Sequence, residues 1–227
     1  MRSQVISNRL LRGFIVLVAS VPCGGLAHAA TVNFVDLFNG NMPTITSLDG
    51  TLRFDQFTGN NSFADTATQV NGGLLFTQNP STIGTPDIGS HQDGFSYRVT
   101  VLSPSQALQG FQVSITETLS FGTQSWSTQT SLVNPSSNPI GSGTLSATLP
   151  GTTFPLNGSF PLSGGNTQAL QTLLLSLTTD GSALGATTTA SLQYTYSLAP
   201  VPLPSSLILF GSGIAALLAR ARKRELA

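Results

Sequence analysis

Only one imidazole lies between residues 30 and 199: His91, in the stretch Asp87-Ile-Gly-Ser-His-Gln-Asp93-Gly. A Ser-His-Asp hydrolase would have to be assembled around that ring. No Gly-x-Ser-x-Gly turn, phosphate-binding loop or His-Glu-x-x-His helix accompanies it, so His91 reads as part of a solvated polar loop ahead of a strand. Asp87 and Asp93, joined by amide and carbonyl oxygens, offer ligands of the type that calcium collects, but not at EF-hand spacing. Two carboxylates flanking a glycosidic bond are a second chemistry open to an acidic body. Nothing selects a pair, and Glu117, between Thr116 and Thr118, reads as exposed. Trp126, the only tryptophan, suits a sugar-stacking platform if exposed and core packing if not; core is the reading taken. No catalytic residue, metal ligand or cofactor is assigned, and the chain reads as a non-enzyme.

The elements that would position these groups are short strands. Phe95, Tyr97, Val99 and Val101 fall on alternate positions, as do Phe111, Val113 and Ile115, and again Leu192, Tyr194, Tyr196 and Leu198. Period two with aromatic and β-branched residues puts one face of each strand inward, and Tyr194 and Tyr196 in or near the core. Further strands are expected over 31–38, 51–57, 73–77, 123–133, 143–149, 153–160 and 170–179, the last ranked above a short helix. A hairpin is expected over 95–119, turning at 103–109, and a long loop or break between sheet halves at 134–142. About ten strands and no amphipathic helix predict an all-β fold, an antiparallel β-sandwich or jelly roll.

Only 8% of the 227 residues are charged, against about 25% in an ordinary soluble protein. The formal balance of zero hides a sorted distribution. Between residues 30 and 199 the basic side chains are Arg53 and Arg98, against the eight acids Asp36, Asp49, Asp55, Asp65, Asp87, Asp93, Glu117 and Asp180, a net charge of about −6. A body without lysine is no nucleic-acid surface, and its solubility must come from hydroxyls and amides.

The ends carry the remaining basic residues. MRSQVISNRLLR, then GFIVLVASV, then Leu-Ala-His-Ala-Ala has the basic, apolar and small-residue order of a secretory signal over 1–29. Processing would leave a chain starting at Ala30 or Thr31 and remove Cys23, the one cysteine. The other end, 200–227, reads VPLPSSLILFGSGIAALLARARKRELA after Pro200. Its apolar run from Leu203 to Ala219, with Leu207, Ile208, Leu209, Phe210, Ile214, Leu217 and Leu218, would span about 25 Å as a helix, a little under a hydrocarbon core of about 30 Å. Arg220, Arg222, Lys223 and Arg224 behind it would stay cytoplasmic, leaving the body, 30–199, across the membrane.

Val201-Pro202-Leu203-Pro204, the apolar run with Leu-Phe-Gly-Ser-Gly, and the basic cluster together resemble the PEP-CTERM sorting tail of exported proteins in Gram-negative bacteria that make exopolysaccharide. Leu203 stands where the family's namesake Glu would be. The resemblance covers about the last 27 residues. It implies recognition by an exosortase, a membrane-embedded cysteine transpeptidase, with cleavage near Pro202 to Pro204, passage through the inner membrane, and delivery to the cell surface or matrix. The functional expectation is a structural or adhesive protein of the biofilm matrix, with exopolysaccharide as partner. The rival readings are a secreted carbohydrate-binding module, calcium-dependent if Asp87 and Asp93 ligate, and a glycan-active enzyme.

Overall fold

The computed structural model describes residues 29–60, 64–150 and 153–201. The signal segment up to residue 28 and the tail from residue 202 lie outside them. Among the described residues twelve strands form two antiparallel sheets of six. One has the order β1 (Thr31–Asn33), β4 (Thr66–Val70), β5 (Gly73–Thr82), β12 (Thr187–Pro200), β7 (Gln106–Leu119), β10 (Thr153–Asn166). The other runs β2 (Thr44–Thr46), β3 (Leu52–Asn60), β6 (Gly89–Val101), β11 (Gln168–Thr179), β8 (Thr123–Val133), β9 (Pro139–Pro150).

The last eight strands pair as a nested set: β8 with β9, β7 with β10, β6 with β11 and β5 with β12. This is one long antiparallel ribbon, closed at the β8–β9 turn and wrapped so that successive pairs alternate between sheets, which is the winding of a jelly roll. Because β6 and β7 belong to different sheets, the expected hairpin over 95–119 is instead an arch crossing the core. Conversely, the expected long break at 134–142 is a tight turn. Asn134 Oδ1 accepts from the backbone N–H groups of Ser136 and Asn138, both at 3.0 Å, and β9 starts at Pro139. The Asn side chain imitates a backbone turn, so a Pro- and Ser-rich string closes a hairpin. The outer strands β9 and β10 carry prolines at 139, 150, 155 and 161, which blunts edges open to another chain.

Sequence alternation misread one element. Continuing a strand through Phe38 would place Phe34, Asp36 and Phe38 on one face. The chain turns instead into a helix, α1 (Phe34–Phe38), which buries Phe34 and Leu37 and leaves Val35 outside. Phe34 sits among four rings, with centroids 4.8 Å from Phe38, 5.0 Å from Phe76, 5.1 Å from Phe95 and 6.4 Å from Phe57, and edge-to-face contacts predominate as ring quadrupoles favour. The 169–175 stretch is strand, as ranked, with Ala169, Gln171, Leu173 and Leu175 inward. The short β2 and β4 were not anticipated; three and five residues give too little alternation to detect.

Beside this aromatic half, the interior is hydroxylic and amidic. The Tyr97 and Tyr196 hydroxyls are 2.8 Å apart, Tyr196 donates to Gln171 Oε1 at 3.2 Å, and Gln171 Nε2 donates to Thr130 Oγ1. Burial pushes all three tyrosines up from their ordinary pKa, so they stay neutral donors through the physiological range.

Candidate functional site

One end of the sandwich holds a cleft of about 280 Å³. Strand register brings its wall together. Across the second sheet, His91, Leu177 and Trp126 stand directly opposite one another, then Asp93 and Leu175, with Thr179 opposite Gln124. Facing them on the first sheet, Gln78 of β5 and Glu117 of β7 flank Ala190 of β12. Thr188 and Ile83 complete the wall, and Asp87 stands at the rim. A small cluster of Ile83, Leu119, Ala183 and Ala186 seals this end. It depends on Gly122, whose φ of +86° suits glycine and where a Cβ would stand 2.3 Å from Ala183 Cα.

His91 and Asp93 are therefore strand residues; β6 begins at Gly89, six residues before the expected start. His91 is exposed, as expected, but borders the cleft. Asp87 closes its own 3₁₀ turn, its Oδ2 accepting from the Gly84 N–H at 2.6 Å. Among the described residues no group of three or more His, Cys, Asp or Glu is placed to hold a metal ion. Trp126 is 5% exposed and belongs to the core as well as to the cleft wall. Tyr194 and Tyr196 are core residues.

Glu117 overturns its reading. Its residue is 1% exposed, on the inward phase of β7 with Val113, Ile115 and Leu119. Thr188 Oγ1 donates to its Oε1 at 3.3 Å, and among the described residues Oε2 has no hydrogen-bond partner. Burial pushes its carboxyl up to about 8, against the smaller opposing effect of the Thr188 bond, so at neutral pH it is held protonated. Gln124, 2% exposed, donates through Nε2 to Thr179 Oγ1 at 2.9 Å, while its Oε1 has no partner among the described residues. Gln78, Gln124, Thr179 and Thr188 were missed in the sequence because only the pairing register places them on the cleft.

Among the described residues no guanidinium lines the cleft. Both basic side chains of the body converge on Asp55, which is 5% exposed. Arg98 meets it with Nε to Oδ1 at 2.6 Å and Nη2 to Oδ2 at 3.0 Å, and Arg53 Nε lies 3.1 Å from Oδ2. The bidentate fork sits beside a bulge in β3, where Gln56 has a φ of +56°.

At the opposite end of β12 the described chain leaves the sandwich. Val201 N–H donates to Ser105 O at 2.8 Å. Pro202, Pro204, the apolar residues Leu207, Ile208, Leu209, Phe210, Ile214, Leu217 and Leu218, and the basic Arg220, Arg222, Lys223 and Arg224 lie outside the described residues. Among the described residues no helix is long and apolar enough to cross a membrane.

Residues 200–223 match the family model of the PEP-CTERM protein-sorting motif. The match takes in Val201, both prolines, the apolar run and the basic residues through Lys223. The chain carries a signal for export and sorting to the cell envelope of Gram-negative bacteria, which implies exosortase-related processing. No curated protein shows a significant match. Among solved structures, the enzymatically active domain of bacteriophage CBA120 tailspike protein 4 is 10% identical over 75% of this chain, with a TM-score of 0.28, and this chain spans only 19% of its length. A carbohydrate-binding module of the β-sandwich superfamily is 10% identical over 78% of this chain and 58% of its own, at 0.31. The N-terminal cellulose-binding domain of Cellulomonas fimi β-1,4-glucanase C is 12% identical over 65% and 90%, at 0.25. At these scores the fold rests on the strand pairing itself.

Proposed function

We propose that this chain is an exported, non-enzymatic protein of the cell surface or extracellular matrix with a structural or adhesive role. An exosortase-like membrane enzyme recognises its tail through Val201, Pro202 and Pro204 while the apolar run holds it in the inner membrane, and processing then releases it toward exopolysaccharide. The observation that carries this reading is the sorting motif at residues 200–223. The body suits the destination. Outer positions of β8, β9 and β11 are filled by Ser125, Ser127, Ser146, Thr148, Ser176 and Thr178, a neutral hydroxyl surface that hydrogen-bonds to polysaccharide without charge repulsion.

The test is intact mass and fractionation of the protein from its host. The expected product begins near Ala30, ends near Pro202 to Pro204, and is recovered from the outer surface or matrix. Retention of Arg220 to Ala227 on a protein confined to the inner membrane would overturn the proposal.

A further inference from the structure

We propose that the end cleft binds a single neutral pyranose unit, the terminal ring of a polysaccharide chain. The idea deepens the matrix role and rests on it for the source of the sugar, but not for the binding itself. Four features of the cleft select this ligand class.

Its size is one. At about 280 Å³, it lies just under the usual range of ligand pockets, roughly 300 to 1,000 Å³, and it accommodates one ring rather than an oligosaccharide laid lengthwise. Charge is the second. Asp87 and Asp93 border the cleft with no Lys or Arg among its lining residues, because the body's two guanidiniums are held by Asp55. A carboxylate or phosphate ligand would find two carboxylates beside it, no guanidinium or ammonium among the lining residues, and His91 as the one basic side chain there.

Unsatisfied hydrogen-bonding capacity is the third. The Gln124 carbonyl oxygen is buried without a partner while its amide nitrogen donates to Thr179. Turning the amide over moves the deficit to the nitrogen without removing it, because Thr179 serves only one end. Behind Thr188, which lines the cleft, Glu117 Oε2 is also unpartnered. Buried polar atoms in native proteins are nearly always paired, so this wall is complementary to a ligand rich in hydroxyls, which donate and accept, directly or through one water. The fourth is mixed polarity. Ile83, Leu175, Leu177 and Trp126 supply apolar surface beside the amides, matching a pyranose with its C–H faces and its hydroxyl rim.

Trp126 is the only tryptophan, so intrinsic fluorescence reads this cleft directly. The full chain, purified from its host, is titrated with glucose, galactose, mannose and N-acetylglucosamine, and with glucuronate and putrescine as charged probes. The expected result is a saturable change with at least one neutral sugar at millimolar concentration, and binding of glucuronate at least about tenfold weaker. Gln124→Leu is expected to weaken binding about tenfold, as loss of one hydrogen bond does. Gln78→Ala at the half-buried rim gives a second, milder variant should the first disturb folding. No saturable change with any neutral sugar, or equal or tighter binding of glucuronate or putrescine, would overturn the inference. Sugar binding by a protein that never leaves the inner membrane would sink the matrix role and leave this site standing, and a matrix protein that binds no sugar would do the reverse.

Discussion

Glu117 is the residue whose replacement has the most calculable effect. In the unfolded chain its carboxyl titrates near the ordinary value of 4.5, and in the folded chain near 8. Folding therefore binds a proton between those values. A group raised in this way contributes stability that is fully present below about pH 4.5 and is lost as pH rises through about 8. The slope approaches about 1.4 kcal/mol per pH unit, so the interval is worth up to about 5 kcal/mol, and about 3 if the buried carboxylate draws in water. Glu117→Gln keeps the shape and an acceptor for Thr188 Oγ1 but cannot ionise. Urea unfolding at pH 5, 7 and 9, followed by Trp126 fluorescence, should show wild-type stability falling by about 2 to 4 kcal/mol across the series, since part of the loss precedes pH 5, and the variant nearly level, so that the variant is the more stable protein at pH 9. The tyrosines do not interfere, since burial raises all three. Wild-type stability that is flat or rising from pH 5 to 9, or a variant with the wild-type slope, would refute the argument that Glu117 is buried and protonated.

Other perturbations probe the rest of the frame. Asp55→Ala leaves Arg53 and Arg98 without their carboxylate and should cost about 1 to 3 kcal/mol in thermal unfolding, little changed by salt because Asp55 is buried. Phe34→Ala removes the ring at the centre of four others and should cost about 3 to 5 kcal/mol, measured by urea denaturation. Gly122→Ala drives a methyl into the Ala183 backbone and forces an unfavourable φ, so its melting temperature should fall and the cleft end should open first in hydrogen exchange. Asp49 presents the opposite pH sign to Glu117. Burial alone would raise its carboxyl, but bonds from Ser47, Thr51 and Gly72 together hold it below the ordinary value, so its contribution is present above about pH 4 and lost in acid. Asp49→Ala should therefore destabilise the protein at pH 7 and leave it nearly unchanged at pH 2.

Much of the sheet was legible because alternation is a local signal. Phe95 to Val101, Thr123 to Val133 and Leu192 to Leu198 each declare an inward face, and β8 has the boundaries read from the sequence. Connectivity was not legible. Whether β6 turns back on β7 or arches over to the other sheet depends on long-range partners, here β11 and β12, about seventy to ninety residues on. Phe34 failed for a related reason, since three aromatics at positions 34, 38 and 57 favour one helical turn only once Phe76 and Phe95 stand ready to receive them. Glu117 failed because an acid between two threonines looks like solvent-facing strand, while its phase is set by Val113 and Ile115. The pattern that placed it inward was present; the assumption that a lone acid faces water overrode it. The tail, by contrast, is a linear signal read without folding.

The direction in which β12 runs joins the two functional parts. Thr188 at its start lines the cleft, and Pro200 at its end delivers the chain to the sorting motif. A strand advances about 3.3 Å per residue, so the two points are separated by about 40 Å, most of the length of the sandwich. On the proposed function the tail would be held and cleaved at the end of β12 remote from Thr188. Processing there would leave the cleft untouched, and a truncation ending at Val201 should bind the same sugars with the same affinity as the unprocessed chain. A marked difference between the two would mean that the tail covers the cleft, and the two ends of β12 would then not be the independent parts that this geometry makes them.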